Sequence, residues 1–174
     1  MTKGKRPGPA RPPGPKLSHL DAAGRARMVD VGAKPETARR AVARAAVWLS
    51  PAVFRLVKKD AVAKGDVFSV AQIAGIQAGK RASEWIPLAH PIPLDAIAVR
   101  LKLSARSHVV LIEAEASTRA ATGVEMEAMV AAAAAALTVY DMCKGADRSI
   151  EIGPVHLVHK SGGKSGTWTR KRAG

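Results

Sequence analysis

The sequence predicts an α+β protein in which an antiparallel sheet is covered on one face by helices. Three observations predict it. Residues 95–103 and 109–116 alternate apolar and polar side chains around a short polar break, as a β-hairpin does. Several stretches repeat apolar residues at helical spacing behind capping residues. Helices come first, then the hairpin, a long helix and a last strand, which is not the strict alternation of a parallel α/β chain.

In chain order, residues 1–16 are rich in proline, glycine and lysine or arginine and are expected to form a disordered tail, because nothing there can bury surface to offset the entropy of ordering. Residues 19–31 read as a turn and a short extended segment. Pro35 suits the first position of a helix, and Ala38, Ala41, Val42, Ala45 and Leu49 recur at helical spacing, so a helix is expected over 36–49. Ser50–Pro51 starts a second helical piece over 52–59. Asp66 is a good N-cap for a helix from Val67 to about Lys80. Residues 86–93 contain Pro87, Pro91 and Pro93 and cannot be regular helix, so an ordered loop is expected.

The hairpin follows, with 104–108 as its connection. Thr122–Gly123 opens a helix running to about Lys144. Its longest apolar run, 128–140, is too short to span a bilayer and reads as a buried helix. Residues 151–159 form a last strand and 161–166 a glycine-rich loop. The folded domain is placed at 17–167, with 168–174 as a basic C-terminal tail.

Composition narrows the functional classes. The formal charge is +14, but eight of the cations stand in the two tails with no acid beside them, leaving a net +6 over residues 17–169. That suits a polyanionic small ligand as well as it suits nucleic acid. Aromatic residues make up only 3% of the chain, which speaks against base stacking and against a nucleic-acid-binding protein. Cys143 is the single cysteine, so no intrachain disulfide can form, in keeping with a reducing compartment. The basic N-terminus is not followed by an apolar stretch, so no secretory signal is expected.

Single motifs are ambiguous. The run GGKSG at 162–166 is not a P-loop, since a glycine is required at Val158; with Lys160 and Lys164 it can still bind phosphate or be a plain exposed loop. The histidines His19, His90, His108, His156 and His159 lack metal-site spacing. His90, between prolines, is a candidate acid–base or hydrogen-bonding group, or a structural one. Asp141 and Lys144 share a helix face three residues apart; partial burial there would bring the lysine pKa toward neutrality. Lys64 sits beside Gly65 on a loop. Glu125 and Glu127, about 200° apart on an ideal helix, cannot both face one site unless the first turn is irregular. Glu127 and Asp141 lie on similar faces roughly 21 Å apart at about 1.5 Å per residue, so chemistry using both helix ends calls for a pocket shared between subunits.

Together, MVDVGAKPETAR (28–39), KGDVFSVAQIAGIQAGKR (64–81), IPLAHPIPL (86–94), TGVEMEAM (122–129), ALTVYDMCK (136–144) and IGPVHLVHKSGGKSG (152–166) resemble the molybdenum cofactor biosynthesis protein C family, the cyclic pyranopterin monophosphate synthases, over about residues 17–167. The resemblance implies a ferredoxin-like α+β domain. It also implies a cytoplasmic homohexamer, a trimer of dimers with active sites at subunit interfaces. The substrate would be 3′,8-cyclo-7,8-dihydroguanosine triphosphate, with cyclic pyranopterin monophosphate and pyrophosphate as products. It implies catalytic roles for Asp141, Lys64 and Lys144, and substrate contacts from Leu88, Ala89, His90, Met126, Glu127, Glu125, Arg39 and Lys160. No cofactor, membrane or specific nucleic acid is expected, and a Mg²⁺ accompanying the triphosphate is left open. The chain departs from the family at Ala89, where cysteine is common, at Ala121, where lysine often stands, and at Gly79, usually alanine.

Overall fold

The computed structural model describes residues 23–171. The expected tail over 1–16, His19 and the last three residues lie outside the described residues.

The first strand corrects the reading of 36–49 as a helix. β1 (Thr37–Trp48) is extended and pairs antiparallel with β3 (Val109–Ala120) along its whole length, Thr37 opposite Ala120 and Trp48 opposite Val109. The same residues satisfy a period of two: Ala41, Ala43, Ala45 and Val47 are buried, while Arg40 and Arg44 point outward to Glu115 and Glu113. A full ladder on β3 and a second on β5 (His156–Ser161) override the helical preference of this alanine- and arginine-rich stretch.

The remaining elements follow the expected order. α1 (Pro51–Lys58) starts behind Ser50, with Pro51 in the first turn. α2 (Val67–Gly79) is capped by Asp66, whose Oδ1 accepts from the main-chain N–H of Phe68 and Ser69 at 2.9 and 3.0 Å. α3 (Ala82–Trp85) is a single turn leading into the proline-rich loop. β2 (Ala96–Ser104) forms the hairpin with β3. α4 (Glu125–Cys143) is the long helix. β4 (Glu151–Ile152) pairs with the end of β1.

The last expected strand is thus broken into β4 and β5. The sheet also continues past the boundary placed at 167: β6 (Trp168–Thr169) pairs with Lys160 and His159 of β5. The sheet order is β2-β3-β1-β5-β6, with every pairing antiparallel.

α2 and α4 lie side by side on one face of this sheet, the ferredoxin-like two-layer arrangement. Small side chains set the spacing. Gly75 and Gly79 of α2 face Ala131 and Ala135 of α4, and an added Cβ at Gly75 would come within 2.8 Å of the Ala131 carbonyl oxygen. Beneath α4, Ala128, Ala132, Ala135, Ala136 and Val139 meet Ala41, Ala43, Val110, Ile112 and Ala114 in one core. At 19 residues α4 is longer than its apolar run and reaches the length of a membrane span. Its composition is accounted for by burial in this core.

Candidate active site

Two polar clusters lie at opposite ends of α4. At its C-terminal end the Asp141 carboxylate is held between two lysines. Lys64, on the loop between α1 and α2, donates to Asp141 Oδ2 at 2.7 Å and to the Asp141 main-chain oxygen at 3.0 Å. Lys144, one turn further along the helix, reaches Oδ1 at 2.6 Å. The hydrogen bonds from Lys144 and Lys64 hold the Asp141 carboxyl at about 2. Asp141 in turn raises Lys144 above the ordinary lysine value. This corrects the expectation of a partly buried lysine with a pKa drawn toward neutrality. Met142 and Cys143 anchor the last turn of α4 in the core, but Asp141 and Lys144 stand on its outward side, so Lys64, Asp141 and Lys144 are about half exposed in the single chain.

At the N-terminal end, a cavity of about 810 Å³ opens between the segment before β1, the proline-rich loop and the first turn of α4. The loop contributes Ile86, Pro87, Leu88, Ala89 and His90, and the helix contributes Glu125, Met126 and Glu127. Both glutamates line it, although on an ideal helix they diverge. The cavity wraps around the end of the helix instead of lying along one side. Glu125 Oε1 receives a 3.0 Å bond from Lys160 Nζ. Glu127 is 5% exposed, and its Oε2 is buried without a hydrogen-bond partner. Desolvation, aided by the charge of Glu125, pushes its carboxyl above the ordinary glutamate value.

His90 is fixed by Nε2, 2.8 Å from the Val29 main-chain oxygen. A carbonyl only accepts, so Nε2 carries the proton. Arg39 donates from Nε to the Ala120 oxygen at 3.1 Å and from Nη2 to the Ala121 oxygen at 3.0 Å. Its guanidinium lies against Gly163 of the glycine-rich loop, where φ is +68° and an added Cβ would fall 2.1 Å from Arg39 Nη1. Arg39 and Lys160 thus stand beside the cavity mouth without lining it. Ala121 contributes its main-chain carbonyl to Arg39.

The structure therefore gathers Leu88, Ala89, His90, Glu125, Met126 and Glu127 around one cavity, with Lys160 and Arg39 adjoining. It sets Lys64, Asp141 and Lys144 apart from them. Sequence reasoning missed Lys34, Val29 and Val31, which form the cavity's outer wall. Their only signal was membership of the 28–39 block. Among the described residues, no group of three or more His, Cys, Asp or Glu side chains is arranged to hold a metal ion.

An apolar slot with an acidic floor and cations at its mouth can seat a flat polar ring with an anionic substituent. A lysine–aspartate–lysine cluster can move protons and stabilise developing negative charge. Fold and sites together define a two-layer α+β protein equipped for acid–base chemistry on an anionic ring compound. The comparisons with known proteins agree. The MoaC family model matches residues 28–163. The chain is 52% identical over 156 residues to a cyclic pyranopterin monophosphate synthase of Thermomicrobium roseum, covering 90% of this chain and 94% of that protein. It is 51% identical over 154 residues to the protein of the same name from Bordetella avium, covering 88% and 95%. It is also 52% identical over 161 residues to molybdenum cofactor biosynthesis protein 1 of Mus musculus, of which it spans only 25%. The chain belongs to the MoaC family.

Proposed function

We propose that this chain is a cyclic pyranopterin monophosphate synthase, converting 3′,8-cyclo-7,8-dihydroguanosine triphosphate to cyclic pyranopterin monophosphate and pyrophosphate. The observation that carries this reading is the Lys64–Asp141–Lys144 cluster, in which two ammonium groups converge on one carboxylate. The reaction opens the purine's five-membered ring, closes a pyrazine ring and cyclises a phosphate with loss of pyrophosphate. Each step needs protons moved and none needs an electron.

In this proposal Lys64 and Lys144 are general acids whose charge also steadies the phosphates, and Asp141 orients Lys144 or acts as base. Leu88, Ala89, His90, Met126 and Glu127 hold the guanine-derived ring. Arg39 and Lys160 bind the triphosphate, and Glu125 places Lys160.

One chain cannot apply both clusters to one small molecule, because Glu127 and Asp141 are fourteen residues apart, roughly 21 Å along an α-helix. The working unit is therefore a symmetric assembly, a homohexamer built as a trimer of dimers, in which the Asp141 end of one copy meets the Glu127 end of another. An exposed apolar face supports an assembly: Val70, Ile73, Trp85 and Leu137 leave large apolar side chains 44–57% exposed on and beside the outer faces of α2 and α4.

The test is to incubate the purified protein with the cyclised dihydroguanosine triphosphate intermediate and follow products by mass spectrometry. Cyclic pyranopterin monophosphate and pyrophosphate in equal amounts are expected. Intermediate that stays unconverted at every enzyme concentration would overturn the reading.

A further inference from the structure

A second, smaller, open cavity of about 240 Å³ adjoins the substrate cavity, lined by Gly79, Lys80, Ser83, His90, Pro93 and Glu127 among others. His90 and Glu127 line both cavities and so form the partition between them. The partition is firmly held. His90 is tied to the Val29 oxygen, and the buried Thr118 hydroxyl donates to the Pro93 oxygen at 2.5 Å. The buried Glu127 carboxyl retains one oxygen without a protein partner. This solvent-open chamber has room for several waters, with the Ser83 hydroxyl and the Lys80 ammonium in its lining to bind them. Lys80 is exposed, so the chamber communicates with solvent.

We propose that this chamber is the proton-supply side of the active site: water held there reloads Glu127, which passes the proton to the substrate from the Met126 side. The inference rests on reading the larger cavity as the substrate cavity. In the forward step a nitrogen or oxygen of the substrate gains the Glu127 proton and Glu127 becomes a carboxylate. A chamber water then protonates Glu127, and a proton entering past Lys80 neutralises the hydroxide left behind. No electron moves and no co-reactant is required. A buried carboxyl raised by desolvation is suited to carry a proton near neutral pH. The charged and titratable side chains lining the two cavities beside it are Glu125 on its own helix, Lys80 just after α2, His90 on the loop and Lys34 ahead of β1. Glu127 thereby acquires a catalytic role in addition to holding the ring.

The experiment blocks the chamber without touching the substrate cavity. Ser83→Leu fills it from α3, and Ser83→Val does so with less bulk should the first variant melt early. The expected result is a fall in kcat of about tenfold, a modest part of what acid–base groups supply, with KM within twofold. The loss should deepen as pH rises, since reprotonation has become limiting. Glu127→Gln alone should lower kcat further, and adding Ser83→Leu to it should change nothing more, because the relay is already cut. Unchanged kcat and pH profile in both Ser83 variants, or multiplicative losses in the double variant, would overturn the relay while leaving the synthase reading intact. Absence of product from the unaltered protein would remove the synthase reading and the relay with it.

Discussion

Lys64 donates twice to Asp141, to its carboxylate at 2.7 Å and to its main-chain oxygen at 3.0 Å, although 77 residues separate them in the chain. The second bond ties the loop to the last turn of α4, whose terminal carbonyls lack helical partners. The pair is exposed and screened, so it adds little to folding. Lys64→Ala should therefore lower turnover by about 100-fold or more, with circular dichroism and oligomer mass unchanged. Turnover within a few-fold of the unaltered protein would remove Lys64 from the chemistry. With its carboxyl held at about 2, Asp141 stays ionised in every usable buffer. Any acid limb in the rate profile therefore belongs to another group and should persist in Asp141→Asn, with only the height of the profile reduced.

The contact between Arg39 and Gly163 makes a second prediction. A methyl group at residue 163 would collide with the guanidinium and must push it off the Ala120 and Ala121 carbonyls. If Arg39 binds triphosphate from this position, both Gly163→Ala and Arg39→Ala should raise KM by about 10-fold or more, the scale of one hydrogen bond to a charged group. kcat should move less. Steady-state kinetics separates this from a general loss of fold, which would lower the active fraction and leave KM alone.

Which parts of this molecule could be read from the chain follows from how each is held. α1, α2 and the proline-rich loop were legible because Ser50, Asp66 and the three prolines act locally. β1 was not. Alanine satisfies a period of 3.6 and a period of 2 equally, and only β3 and β5, more than 60 residues away, decide between them. At the site, the Asp141–Lys144 pair was legible as helix spacing, whereas the approach of Lys64 depends on tertiary packing. Lys34, Val29 and Val31 carry no periodic signal because their segment is irregular; they wall the cavity only once His90 anchors Val29.

The α2–α4 contact distinguishes two glycines one helical turn apart. At Gly75 an added Cβ would lie 2.8 Å from the Ala131 carbonyl oxygen, a main-chain atom that moves only with the helix. At Gly79 its closest neighbour would be the end of the Ile97 side chain, which can rotate away, and the Glu127 oxygen would be 3.0 Å distant. Gly75→Ala should therefore destabilise by about 1–3 kcal/mol through overpacking, and Gly79→Ala by less, with partial return from a better helix-forming residue. Denaturant midpoints of the two variants, measured side by side, check the order. Equal losses would mean that α2 shifts as a rigid body.

Glu127 links stability to pH in a direction opposite to most carboxylates. Burial, the first cause, raises its folded-state pKa above the unfolded value, and the Glu125 charge adds to this against an opposing main-chain hydrogen bond. Between the two values the unfolded chain has released a proton that the folded chain still holds, so stability falls as pH rises through that window. Below the unfolded pKa the group contributes no pH dependence. Above the folded pKa the full penalty of a buried carboxylate with one unpartnered oxygen is present. Glu127→Gln keeps the shape and removes the ionisation. It should therefore melt higher than the unaltered protein at pH 8, with the difference shrinking as pH approaches 4. Thermal unfolding at four or five pH values reads this directly. A difference that is constant across pH would show that Glu127 does not titrate in this window and is held by a partner in solution.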